Sequence, residues 1–412
     1  MVRQIIPTGA SIAIITRTAL TTRIARMSHE LKLFAAASFV MGAAYSLIDS
    51  TLNNFLNDRF ALTGFQRSFL EIPRELPGML VVFVTALLWF FCSRRLGVVA
   101  MLLGVAGTLL IGYVSSTFAI LTLCLFVYSL GQHLFMPAAS AIGMELAHEG
   151  KTGQRLGQLN AIRNLAAILG SLIVFVGFKY LGFNYQNTFV LSALLFTVAA
   201  ILMATMKPQP THHARMYLKL HREYRLYYVL SILYGSRKQL FITFAPWVIV
   251  TIFNQPTQTL ATLIIIGGII GILFQPLLGW ATDRLGERAV LAMEAVLLIF
   301  VCLGYALVKD LFPTRTAFLF VCVFYLLDQM LMSVNMARAM YMKKIAIRPE
   351  DVQPALTVSV TLDHIFSITV ALLGGVIWNT FGFQYVFLLG VFIALANFVA
   401  ALKIRVPKPG TS

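Results

Sequence analysis

The sequence predicts an all-α polytopic membrane protein with twelve transmembrane helices in two pseudo-symmetric six-helix bundles. The composition, the number of apolar runs and the distribution of basic residues carry that reading. Of 412 residues, 59% are hydrophobic and only 12% are charged; the mean hydropathy is +0.82. A soluble domain carries about 25% charged residues. At half that density, a soluble fold of this size has too little charge to cover its surface. This argues against a soluble enzyme, a disordered chain and a disulfide scaffold. Cys92, Cys124, Cys302 and Cys322 lie in or beside apolar runs at no metal-like spacing, so they read as small buried hydrophobes and no metal site is expected.

A bilayer core takes about 20 apolar residues to cross as a helix. Such runs occur at 33–57, 67–91, 97–117, 118–144, 155–180, 185–206, 226–253, 257–281, 289–309, 315–342, 353–379 and 383–404. Several contain Gly or Pro, which helices in lipid tolerate better than soluble ones. The connections are short except for 207–225, a basic linker holding Pro208, Pro210, His212, His213, Arg215, Lys219, Arg222 and Arg225. The expected domains are therefore a basic segment 1–30, a bundle 31–206, the linker 207–225, a second bundle 226–404 and a tail 405–412. Within the first segment, Met27-Ser-His-Glu-Leu-Lys reads as an ordinary bacterial start. Residues 1–26 then read as an upstream extension.

The chain has 32 Lys+Arg against 16 Asp+Glu, a net charge of +16. Basic residues favour cytoplasmic loops. With a cytoplasmic N-terminus, 22 Lys/Arg fall in cytoplasmic segments. Five fall in the opposite loops (Arg59, Arg67, Lys179, Lys309, Arg315) and five within spans (Arg74, Arg163, Arg237, Lys238, Arg338). Both termini are thus expected in the cytoplasm, in the cell (inner) membrane, and a nucleic-acid partner loses its main support.

Ionisable side chains inside spans are costly and are usually functional or paired. Span 1 carries Asp49, with Tyr45 and Asn53 a turn either side. Span 2 places Glu71, Arg74 and Glu75 on one face. Span 4 carries Gln132 and His133, and span 5 carries Asn160, Arg163 and Asn164. Span 7 has Arg237-Lys238 at mid-depth. Span 10 has Asp328-Gln329 and, lower down, Asn335 and Arg338. Span 11 has Asp363-His364, with Ser359 and Ser367 a turn either side. Spans 3, 6 and 12 hold none in their interiors, and span 9 has only Glu294 near its cytoplasmic end.

The halves resemble each other. Tyr128-Ser-Leu-Gly-Gln132 matches Tyr325-Leu-Leu-Asp-Gln329, Gly182-Phe-Asn-Tyr185 matches Gly382-Phe-Gln-Tyr385, and Arg94-Arg-Leu-Gly97 matches Asp283-Arg-Leu-Gly286, in the same order. Ordered matches of this kind suggest a duplicated six-helix unit, an architecture used by transporters.

The strongest local motif is Gly279-Trp-Ala-Thr-Asp283-Arg284-Leu-Gly286-Glu-Arg288, after the eighth span. Gly279 permits close helix approach, Gly286 turns the chain, and Asp283 and Arg284 suit helix ends, where backbone dipoles favour a charge. The motif resembles the G-x-x-x-D-R-x-G-x-R signature of the major facilitator superfamily, and twelve spans, a basic central loop and a 6+6 repeat agree over about 30–404. The resemblance implies a secondary transporter in which Gly279, Asp283, Arg284, Gly286 and Arg288 belong to a cytoplasmic gate. The first-half copy departs from the pattern, with Phe90, Arg94 and Arg95 where Gly, Asp and Arg are expected. The resemblance also puts spans 1, 4, 7 and 10 around a central cavity.

On that basis the expected function is alternating-access transport of a small anionic or zwitterionic organic solute, coupled to protons. Arg237, Lys238, Arg163, Gln132, Gln329 and Asn164 are the candidate substrate contacts, because guanidinium and ammonium groups at mid-depth require an anion to meet them, either a solute or the span acids Asp328 and Asp363. Asp49, Asp328, Asp363, His364 and Glu75 are the candidate proton-coupling groups; histidine titrates near neutral pH. The second reading is a proton-driven multidrug exporter with a Phe/Met-lined site. Span 5 lacks the Gly-Pro motif often found in such exporters. No nucleotide-binding loop or catalytic dyad is present beyond the weak pair His148-Glu149. The protein is therefore expected not to be an enzyme, to use an ion gradient rather than a cofactor, to sit in the lipid bilayer, to bind a small molecule and to act as a monomer.

Overall fold

A computed structural model of the chain describes residues 28–87, 92–148, 152–208, 221–348 and 351–405. The expected start at Met27, most of the linker and Phe90 of the first-half motif lie outside these residues. Among the described residues every regular element is helical: α1 (His29–Phe60), α2 (Gly64–Phe69), α3 (Glu71–Leu87), α4 (Ser93–Tyr113), α5 (Phe118–Glu145), α6 (Thr152–Tyr180), α7 (Tyr185–Thr205), α8 (Arg225–Trp247), α9 (Thr257–Leu311), α10 (Thr314–Met332), α11 (Asn335–Ile345), α12 (Val352–Phe381) and α13 (Phe383–Leu402). A short 3-10 turn, Arg222–Tyr224, precedes α8, and one π turn, Val248–Ile252, ends it.

Polar side chains start the helices where the apolar runs begin. Ser28 caps α1 by accepting from the Leu31 amide, Thr117 caps α5 through the Ile120 amide, and Asn184 caps α7 through the Asn187 amide. Thr63 and Gln66 form a reciprocal capping box on α2. Each cap satisfies amides that would otherwise be orphaned at a helix start.

Nine of the described helical stretches are long and apolar enough to cross a membrane. The runs expected at 67–91 and 226–253 also fold as helices, α3 and α8. They are not among the nine; α3 has 17 described residues, and α8 carries Arg237 and Lys238. The runs expected at 257–281 and 289–309 join in the 55-residue α9, which breaks at Gly286 (φ 80°, ψ 162°). That backbone region is essentially closed to residues with a Cβ. Gly286→Ala is therefore expected to cost about 1–3 kcal/mol, read as a lower unfolding temperature in detergent. An unchanged melting curve would mean that the turn relaxes without strain.

Helices α1 and α4–α7 pack mainly on one another, as do α8–α10, α12 and α13. Each set has its own apolar core: Phe34, Met101, Leu125 and Phe196 in the first, and Phe241, Tyr305, Val321 and Phe387 in the second. The two sets touch through α6 against α9, and through α2 and α3 against α12.

Candidate functional site

Between the two helix sets lies a cavity of about 590 Å³. Its wall includes Tyr45, Asp49, Arg74, Gln132, Arg163 and Asn164 from the first half, and Tyr325, Asp328 and Gln329 from the second. Of the expected substrate contacts, the cavity thus brings together Arg163, Gln132, Gln329 and Asn164. Asp49 faces it without an ion pair among the described residues. Arg163 donates to Asn160 Oδ1 at 3.2 Å and has no carboxylate partner among the described residues. A second recess, lined by Phe34, Ser140, Leu156 and Gly157, shares Asn160 and Arg163 with the first.

The cavity floor is an ion-pair layer on α2 and α3. The Glu71 carboxylate accepts from Arg67, from Arg74 at 2.8 Å and from Gln239 of α8 at 2.8 Å. Arg67 also donates to Asn53 at 3.1 Å. Arg67 was expected in an external loop; it is 1% exposed. The short α2 turns it inward one helical turn from Glu71, and a buried guanidinium is tolerable because a carboxylate meets it.

Arg237 and Lys238, expected to contact substrate, are occupied by protein carboxylates. Arg237 pairs with Asp328 at 2.5 Å and with Glu294 at 3.3 Å. Glu294 also binds Arg338 at 2.6 Å, and Tyr234 lies under both guanidiniums, at 5.6 and 4.6 Å. Two arginines and two acids form a neutral buried set, and Arg237 is 1% exposed. Lys238 pairs with Asp363 at 2.7 Å, and Ser367 donates to the same carboxylate at 3.2 Å. Neither cation is in the cavity wall. Sequence reading missed Glu294 as a member of this set. Its signal was available: an acid inside an otherwise apolar span.

Of the remaining proton-coupling candidates, Glu75 accepts from His364 Nδ1 at 2.7 Å. The motif residues Asp283, Arg284 and Arg288 are exposed, and Arg284 lies over the Trp280 ring at 5.3 Å. Gly279 is not a point of close helix contact in this conformation. The nearest atom to where its side chain would begin is Met336 Cε at 4.0 Å. In the first half, where the motif departs, Arg94 takes a different part. It binds Glu30, Glu145 and the Lys207 carbonyl, each at 2.5 Å, fastening the ends of α1, α4 and α5.

Polar contacts join the two halves at one end of the cavity. Far from the termini, Asn54 donates to the Gln255 carbonyl at 2.9 Å, and the Phe65 amide donates to Asn379 at 3.1 Å. The recess beside Arg163 lies towards the other end, near the termini.

A sequence model of the Major Facilitator Superfamily matches residues 76–345 and 227–412. The chain belongs to this superfamily. It is accordingly a multi-pass membrane protein and a secondary transporter, not an enzyme. Solved facilitators share its fold. The nucleoside transporter NupG superposes with a TM-score of 0.73 at 13% identity, covering 92% of this chain and 100% of that one. A D-xylose-proton symporter gives 0.69 at 14% identity, covering 92% and 97%. A POT family transporter in complex with a thioalcohol-conjugated peptide gives 0.71 at 12% identity, covering 90% and 94%. No curated protein matches the sequence. In this facilitator, the cavity between the halves is the candidate solute site.

Proposed function

We propose that this facilitator carries a small zwitterionic or anionic organic solute by alternating access, driven by a proton gradient. The chain crosses the membrane twelve times, with Gly286 at the turn between the eighth and ninth crossings and both termini in the cytoplasm. The bundles 31–206 and 226–404 rock about the cavity, and the end near the termini faces the cytoplasm. The observation that carries the solute class is Arg163, a cavity-wall cation with no carboxylate partner among the described residues. A solute carboxylate or phosphate would supply that partner, since guanidinium binds such groups in a bidentate fork. Gln132, Asn164 and Gln329 would hydrogen-bond the rest of the solute. Asp49 is the proton-coupling group: it faces the same cavity and has no ion pair among the described residues, whereas Asp328 and Asp363 are held by Arg237 and Lys238.

The test is a thermal-shift screen of purified protein against metabolite anions, zwitterions and lipophilic cations, because a ligand that binds the folded state raises its apparent stability. Anionic or zwitterionic compounds are expected to stabilise the wild type. Arg163→Gln is expected to weaken that response by about 10- to 100-fold, the range for a hydrogen bond to a charged group. Met41, Met136, Phe135 and Phe241 also line the cavity and favour the multidrug reading. Stabilisation by lipophilic cations, unaffected by Arg163→Gln, would establish that reading and overturn the first.

A further inference from the structure

Glu75 of α3, His133 of α5 and His364 of α12 are far apart in sequence and meet at the junction of the two halves. One ligand atom from each lies within 4.8 Å of the others. The two imidazole centroids are 5.1 Å apart, with planes at 70°. His364 Nδ1 faces Glu75 Oε2 at 2.7 Å. His133 Nδ1 lies 2.9 Å from the Ser129 carbonyl and 3.0 Å from Ser129 Oγ. A carbonyl only accepts, so His133 Nδ1 carries the proton and Nε2 keeps its lone pair. A backbone carbonyl holding one ring nitrogen while the other is left to ligate is the usual outer support of a metal-bound histidine.

Gly78, one turn beyond Glu75, leaves room for the two rings to pack against its backbone. A side chain there would collide with His364 Cε1 and Nε2 and with His133 Cδ2. Both histidines are buried, at 9% and 7% exposure. The neighbouring cations are paired, Lys238 with Asp363 at 2.7 Å and Arg74 with Glu71 at 2.8 Å.

We propose that Glu75, His133 and His364 bind one divalent transition-metal ion, of which Zn²⁺ is the representative, and that the ion pins α3 and α5 of the first half to α12 of the second. Two imidazoles and one carboxylate, with a fourth position left to water, are a donor set that Zn²⁺ accepts. Tetrahedral bonds of about 2.0–2.2 Å need ligand atoms roughly 3.3 Å apart, so side-chain rotation must draw the three inward. Glu75 and His133 come from one half and His364 from the other. The site is complete only while the halves are together at this depth, so the bound ion holds this conformation and arrests alternation. The inference does not depend on the identity of the solute, because binding is measured without transport.

The experiment titrates chelator-treated, full-length protein in detergent with ZnCl₂, by calorimetry and by thermal shift. The wild type is expected to bind one equivalent more tightly than any other and to gain thermal stability. His133→Gln and, separately, His364→Gln are expected to weaken that equivalent by about 10- to 100-fold and to lose the stabilisation. Weak binding by the other histidines (His29, His148, His212, His213, His221) is a background common to all three proteins. Equal Zn²⁺ affinity in the wild type and both variants, or no tight equivalent in the wild type, overturns the proposal.

Discussion

Glu294→Leu is expected to destabilise the protein by about 3–5 kcal/mol, the range for removing one partner from a buried ion pair. Glu294 accepts from Arg338 at 2.6 Å and from Arg237 at 3.3 Å. Both arginines are 1% exposed. Arg237 keeps Asp328 after the substitution, but Arg338 loses its only carboxylate partner among the described residues. A guanidinium cannot shed its charge, so it stays charged without a counter-ion. The expected result is poor recovery of folded protein and a markedly lower unfolding temperature in detergent. The double variant Glu294→Leu/Arg338→Met removes both charges and should recover much of the loss, because replacing a whole buried pair by apolar groups is often neutral. A single variant as stable as the wild type would mean that water reaches Arg338 and that the buried set does not hold the second half together.

Asp49→Asn is expected to abolish uphill accumulation of solute in proteoliposomes with an imposed proton gradient while leaving solute exchange intact. Asparagine has nearly the shape of aspartate and keeps hydrogen-bonding capacity, but it cannot take up and release a proton. If Asp49 carries the coupling proton, the variant can still bind solute and alternate. It can only equilibrate solute, because no proton biases one facing state over the other. Accumulation should fall to the level of vesicles without a gradient, while counterflow of a ligand found by the thermal-shift screen continues. Retained gradient-driven accumulation would move the coupling group away from Asp49. Loss of both accumulation and counterflow would make Asp49 a solute contact instead.

These two predictions rest on residues that were legible to different degrees. Asp49 stands out in the sequence because an acid inside an apolar run is costly anywhere in the bilayer. Glu294 stands out for the same reason, but its partners do not: Arg237 and Arg338 lie 57 and 44 positions away. For Arg237 and Lys238 the sequence leaves two partners open, a solute or the acids Asp328 and Asp363, because it gives their depth but not their neighbours. The structure occupies both with Asp328, Glu294 and Asp363, and the anion argument passes to Arg163, which no acid reaches among the described residues. Arg67 was misplaced for a related reason. A basic residue after a loop-like stretch reads as solvent-facing, and only the turn of α2 brings it over Glu71.

What the sequence by itself determined is the solvent. Hydropathy is additive along the chain, so composition, run length and the bias of basic residues identify a helical membrane protein without any knowledge of contacts. The motif around Asp283 adds the family. What only the tertiary structure decided is which intramembrane charges are spent on one another and which remain for a ligand. Glu75 and His364 are 289 positions apart yet their side-chain atoms lie 2.7 Å from each other, and Arg163 is left facing the cavity. Pairing of buried charges depends on distance and orientation across helices, and neither is a function of position along the chain.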